Sequence, residues 1–142
     1  MLTLSSIAKG KIEMLEICYS PNEAINISGS LPDLEGLRQD ILNLIYNDLP
    51  RIHFQIENNI NPIPWDFVAK HLEIVQNDNA VKVSILDENV IQIEGSKENL
   101  ERFTSFLVFN EDDKLGSHSH YEYFEGNEYI TFDSFPLIIG IK

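Results

Sequence analysis

A chain of 142 residues, 43% of them hydrophobic and 23% charged, has the length of one domain and an ordinary globular composition, which excludes intrinsic disorder. Asp and Glu number 23 against 10 Lys and Arg, a formal net charge of −13 that keeps the protein soluble, repels nucleic-acid phosphates and favours a basic protein partner. A lone cysteine, Cys18, leaves no intrachain disulfide and fits a reducing cytoplasm; no apolar run approaches the roughly 18 residues of a membrane helix, and MLTLSSIAKGK does not read as a signal peptide.

In chain order, residues 12–20 and 24–29 alternate apolar and polar, the period of half-buried strands, with the turn-rich SPNE between them. Gly29 gives a sharp strand-to-helix corner, and Ser30-x-x-Asp33 approximates a capping box. Leu34, Leu37, Ile41, Leu44 and Ile45 then line one face of a helix. RIHFQIEN sets Ile52, Phe54 and Ile56 on one side of a strand and His53, Gln55 and Glu57 on the other, with a turn at Asn59. The stretch Phe67–Val75 reads as the closing strand of the first half, more polar than its counterpart, with a short helix entering a strand as the alternative, and QNDN, Gln76 to Asn79, as a junction. Residues 80–86 and 89–95 form a second hairpin around LDEN, followed by Gly95, Ser96 and a helix carrying Leu100, Phe103 and Leu107. NEDDK, Asn110 to Lys114, lacks the ligand spacing of a calcium loop and solvates a turn. HSHYEYFE is a strand with Tyr121 and Tyr123 on its apolar side, Gly126 marks a turn, and PLIIGIK is apolar enough for burial on both faces.

The second half repeats the first. A shift of 66 residues superposes Ile25, Ile27, Gly29, Ser30, Leu34 and Glu35 on Ile91, Ile93, Gly95, Ser96, Leu100 and Glu101, six identities in positions 25–41 where chance supplies about one. A shift of 67 then brings His53 onto His120, Ile63 and Trp65 onto Ile130 and Phe132, Asp66 onto Asp133, and Leu72 and Ile74 onto Ile139 and Ile141. The expectation is a single pseudo-symmetric α+β domain, a tandem duplication of a β-β-α-β-β unit with repeats at about 12–75 and 80–142. Two such units could face each other as two sheets or join into one antiparallel sheet with two helices packed on one face. The alternation favours the single sheet, with Glu16, Cys18, Asn26, Ser28, Lys82, Ser84, Gln92 and Glu94 on its wet face.

The sharpest chemical signal is GSHSHYEYFEG. On a strand His118, His120 and Glu122 project together, and imidazole with carboxylate suits zinc, nickel or iron. The run resembles the first cupin motif, with Glu125 as its glutamate, but no histidine follows His120 and two helices are signalled, so polar residues on a solvated face are the preferred reading. Asp66 and Asp133 lie in different halves and read as turn formers, Trp65 and Phe132 as core aromatics, and Cys18 as a small buried or half-buried filler rather than a nucleophile.

The phrase Ile-x-Gly-Ser before a Leu-containing helix, then His-x-His-x-Glu, then Ser134 and Pro136-Leu137-Ile138-Ile139, resembles small immunity proteins of bacterial polymorphic-toxin systems, best over residues 80–142. That resemblance implies a cytoplasmic protein that binds and neutralises a cognate toxin without catalysis or cofactor. The partner is then a protein, a basic toxin, with neither nucleic acid nor membrane involved. The contact residues expected on the wet sheet face are His53, Gln55, Lys82, Gln92, Glu94, His118, His120 and Glu122. The alternatives are a self-associating module that forms a homodimer, and a metal-dependent enzyme built on His118, His120 and Glu122.

Overall fold

A computed structural model describes residues 15–56, 60–87 and 89–142. Strands β1 (Glu16–Ser20) and β2 (Ala24–Gly29) lead into helix α1 (Leu31–Tyr46), followed by β3 (Arg51–Gln55), β4 (Phe67–Val68) and β5 (His71–Gln76). Strands β6 (Lys82–Asp87) and β7 (Val90–Gly95) lead into helix α2 (Lys97–Thr104), which tightens into a 3-10 turn at Ser105–Leu107, and β8 (His118–Tyr121) and β9 (Leu137–Ile141) close the chain. The fold is α+β. Two expected turn residues, Asn59 and Glu88 of LDEN, lie outside the described residues, as does Glu57.

The single antiparallel sheet is not what forms. There are two sheets, ordered β4-β1-β2-β9-β8 and β3-β5-β7-β6, each with a parallel pairing at its centre, β2 with β9 and β5 with β7. Each sheet takes the leading hairpin of one half and the closing pair of the other. Alternation reports which side of a strand is wet and says nothing about its neighbour, so one broad sheet and two one-faced sheets write the same pattern. The stretch 67–75 holds no helix. It contributes β4 to one sheet and β5 to the other, and Ala69, fully buried, carries the chain across between them.

The two four-strand sets share order, direction and register. Ile17 faces Ile27 as Val83 faces Ile93, and Ile25 lies beside Leu137 as Ile91 lies beside Leu72. In the closing pairs Phe54 opposes Leu72 and Tyr121 opposes Leu137. The counterpart of Leu72 is therefore Leu137, two residues from the Ile139 that the sequence alignment pairs with it. A slip of two leaves every side chain on its own face, which is why the apolar pattern could not detect it.

The helix entries are built alike. Ser30 Oγ accepts from Asp33 N at 3.2 Å while the Asp33 carboxylate accepts from Ser30 N at 3.4 Å, a complete capping box. Ser96 Oγ accepts from Asn99 N at 3.2 Å. Such caps satisfy orphan donors and contribute about 1 kcal/mol each. A Cβ at Gly29 would stand 2.7 Å from Leu15 Cδ2, and one at Gly95 2.8 Å from Val81 Cγ2, and Leu15 and Val81, like the two glycines, are 66 residues apart.

One core joins both sheets and both helices. Leu34, Leu37, Ile41 and Leu44 of α1 and Leu100 and Phe103 of α2 are fully buried among Ile17, Ile25, Ile27, Leu72, Ile74, Ile91, Ile93 and Ile139. Strand β9 lies inside its sheet, and Leu137, Ile139, Gly140 and Ile141 are buried as the apolar PLIIGIK run anticipates. Phe132, expected in the core, is instead 81% exposed. The segment before it runs beside Val81, whose N–H donates to Tyr129 O at 2.8 Å, and this turns Ile130 inward. A tight turn then throws the Phe132 ring out, Ser134 N donating to Thr131 O at 3.1 Å. Trp65 is half-buried and Ile63 exposed, so the aligned pair Ile63 and Ile130 occupies unlike environments.

Tyr121 ends β8 inside the core, gripped edge-on by Phe103 at 4.9 Å and Phe106 at 4.8 Å between ring centroids. Its hydroxyl is buried with no hydrogen-bond partner among the described residues, and burial pushes its pKa well above the ordinary phenol range. An unmet buried hydroxyl costs about 1–3 kcal/mol. Tyr121→Phe is therefore expected to keep the fold and raise its unfolding free energy by about 1 kcal/mol in urea titration; a loss of that size would place a partner on the hydroxyl.

Candidate functional site

The outer faces of the two sheets carry the expected contact residues, but on separate surfaces. His53, Gln55, Lys82, Gln92 and Glu94 stand on the β3-β5-β7-β6 sheet, whereas His118 and His120 belong to β8, the edge strand of the other, with Glu122 just beyond it. Since both sheets turn their inner faces to one core, these eight residues do not make a single patch.

On the first surface, strand pairing sets His53, Glu73, Gln92 and Ser84 in a row. His53 Nδ1 lies 3.1 Å from Glu73 Oε2, and His53 Nε2 lies 3.0 Å from His71 Nδ1. With both rings neutral one proton assignment satisfies both contacts: His71 Nδ1–H donates to His53 Nε2, and His53 Nδ1–H donates to Glu73. Gln92 Nε2 donates to the other Glu73 oxygen at 3.4 Å, and the Arg51 guanidinium stands 3.9 Å from it. Lys82 is tied to Asp133 at 3.1 Å and Glu94 accepts from Asn77 at 3.1 Å. Gln55 is exposed, in register with His71.

On the second surface His118 and His120 do project together, their ring centroids 4.9 Å apart. His118 Nδ1 lies 3.1 Å from the Gly116 carbonyl, and His120 Nδ1 lies 3.8 Å from Glu122. No group of three or more His, Cys, Asp or Glu side chains is placed to hold a metal ion among the described residues, these included. Asp66 and Asp133 flank different sheets, with Asp66 N donating to Tyr19 O and Asp133 paired to Lys82, so they share no cleft. Cys18 is buried, and that burial, with Glu16 nearby, pushes its thiol pKa up and keeps it a poor nucleophile.

A third feature was not singled out by the sequence. Where the first turn of α1 meets the end of the 3-10 turn, Leu31, Pro32, Leu107, Val108 and Phe109 line an open groove with Glu35 and Glu111 among them. A second hollow, sharing Pro32 and Glu35 with it, is lined by Asp33, Gly36, Gln39 and Asp40 of α1. Proline is tolerated at Pro32 because the first helical turn needs no donor there. Past Leu107 the chain becomes extended, leaving Val108 53% exposed. Glu111 comes from the NEDDK turn, in which Asp113 accepts from Asn110 N at 2.6 Å. Arg38, one turn along α1, is paired with Glu35 at 2.9 Å. The result is an apolar trough with a carboxylate rim. Its components were visible as separate stretches, but nothing local brings residues 31–40 to residues 107–111.

His71 was also missed. Its signal was the His-x-Glu alternation at His71 and Glu73, readable only once 71–76 is a strand and is placed beside β3.

No family model matches the chain, and no curated protein or solved structure matches it either. No helix among the described residues is long and apolar enough to cross a membrane.

Proposed function

We propose that this chain is a non-catalytic protein-binding module that takes a basic partner, and that it serves as a cytoplasmic immunity protein neutralising a cognate bacterial toxin. The observation that carries the reading is the trough at the α1 entry, apolar along Leu31, Pro32, Val108 and Phe109 and rimmed by Glu35 and Glu111, on a chain of net charge −13. Apolar floor and acidic rim together suit a basic segment bearing an aliphatic or aromatic anchor. The long-range field speeds encounter, and the desolvated floor holds the partner once seated. The polar sheet face carrying His53, Gln55, Lys82, Gln92 and Glu94, and the edge carrying His118, His120 and Glu122, would supply further contacts to a large partner.

Co-expression with the product of the adjoining reading frame, in a host whose growth that product arrests, tests the function. Growth rescue by the wild type is expected. The pair Glu35→Lys with Glu111→Lys, both at exposed positions, is expected to abolish rescue while leaving the melting temperature within a few degrees. Rescue undiminished by that pair would move the contact surface elsewhere, and no rescue by the wild type would remove the immunity reading.

A homodimer is the second reading. It is favoured by β8 standing as an edge strand with His118 and His120 exposed on it. Sedimentation at millimolar chain decides it, a monomer being the result expected here.

A further inference from the structure

We infer that His53 and His71 form a binding site for a late first-row divalent cation, copper(II) above all, with Glu73 as its positioning carboxylate. The pair lies on neighbouring strands, so the sheet itself fixes its separation: His53 opposes Glu73 and Gln55 opposes His71 across β3 and β5. His53 Nε2 and His71 Nδ1 stand 3.0 Å apart. Two nitrogens each about 2.0–2.1 Å from one metal are separated by about 2.9 Å when they subtend a right angle and by about 3.3 Å at the tetrahedral angle. The observed spacing matches neighbouring corners of a tetragonal site, the preference of copper(II) and nickel(II) more than of zinc. The ring planes are inclined at 48°, with centroids 5.0 Å apart. The rings therefore approach nearly nitrogen to nitrogen, and a small rotation of each about its Cβ–Cγ bond would turn both nitrogens toward one metal.

The metal would take the place of the proton now shared between the two rings, leaving the remaining corners to water. Glu73 sits where metal-binding histidines keep their carboxylate. It accepts from His53 Nδ1 at 3.1 Å, which fixes the tautomer and leaves Nε2 with its lone pair toward His71. Gln92 holds the other Glu73 oxygen, and the surrounding charge of −13 favours a cation despite Arg51 at 3.9 Å. His118 and His120 form a built-in comparison. They are closer in sequence, but His118 Nδ1 is engaged by the Gly116 carbonyl and no carboxylate is hydrogen-bonded behind either ring at the 3.1 Å seen for Glu73.

The test is calorimetric titration of the full, tag-free chain with copper(II), nickel(II) and zinc(II) chlorides, with electron paramagnetic resonance of the copper form. One copper per chain, bound more tightly than nickel or zinc and with coupling from two imidazole nitrogens, is expected. His71→Ala and His53→Gln should each weaken copper binding at least about tenfold, and Glu73→Gln about 10–100-fold, as loss of the carboxylate behind a ligating histidine does. His120→Ala should leave it unchanged. Thermal melts of each variant confirm folding, all four altered side chains being at least partly exposed. Absence of a one-to-one site, or copper binding that survives His71→Ala and is lost with His120→Ala, would overturn the inference.

Discussion

Truncating Phe103 to alanine is expected to remove about 3–5 kcal/mol of unfolding free energy, more than any other single change considered. Phe103 is fully buried and is the point where α2 meets the sheet, its ring edge-on to Tyr121 at 4.9 Å. Its loss costs the transfer energy of a large aromatic and leaves a cavity that Tyr121 and Phe106 cannot both collapse into. An aromatic pair of this geometry adds about 0.5–1.5 kcal/mol beyond burial, so the double variant Phe103→Ala with Tyr121→Ala should cost less than the two single costs summed. Urea unfolding of the four chains measures this directly. A Phe103→Ala cost below about 1.5 kcal/mol would mean that α2 does not anchor the core.

Gly95→Ala is the second large effect, and it is set by a backbone rather than a side chain. The new methyl would lie 2.8 Å from Val81 Cγ2 and 3.2 Å from Val81 Cα, and Val81 is itself fixed by hydrogen bonds to Tyr129 and Thr131. A side chain can rotate away, but a strand Cα held by two such bonds cannot move cheaply. The expected loss is about 2–3 kcal/mol, near the upper end of ordinary overpacking. Gly29→Ala is the informative comparison. Its Cβ would meet the tip of Leu15 at 2.7 Å and Asp33 Cβ at 3.3 Å, both side-chain atoms, so about 1–2 kcal/mol is expected. The order of the two losses is the point under test, and Gly29→Ala proving the more damaging would contradict the packing described at Val81.

Sequence alone reaches local structure well here because local physics decides it. The capping box at Ser30, the apolar stripe through Leu34, Leu37, Ile41 and Leu44, and the inward alternation of Ile52 and Phe54 each depend on residues within one turn or one strand. Neighbour relations are another matter. Whether β9 lies beside β7 of its own half or beside β2 depends on contacts more than 100 residues apart, such as Ile25 with Leu137, and no short-range pattern encodes them. The same blindness hid the Glu73–His53–His71 chain and the α1 trough, both made by segments that meet only in the folded molecule. His118 and His120 drew attention because strand alternation can place i and i+2 residues together, and it does.

The central claim, an acidic trough that seats a basic protein, is tested most directly by the association kinetics of this chain with the purified product of the adjoining reading frame, at 0.1 and 1 M salt. The screening length shrinks from about 10 to about 3 Å over that range. An association rate that falls at least about tenfold, a dissociation rate nearly unchanged, and loss of binding with Glu35→Lys and Glu111→Lys are the predicted results. Association that ignores both salt and the paired substitutions would contradict the account.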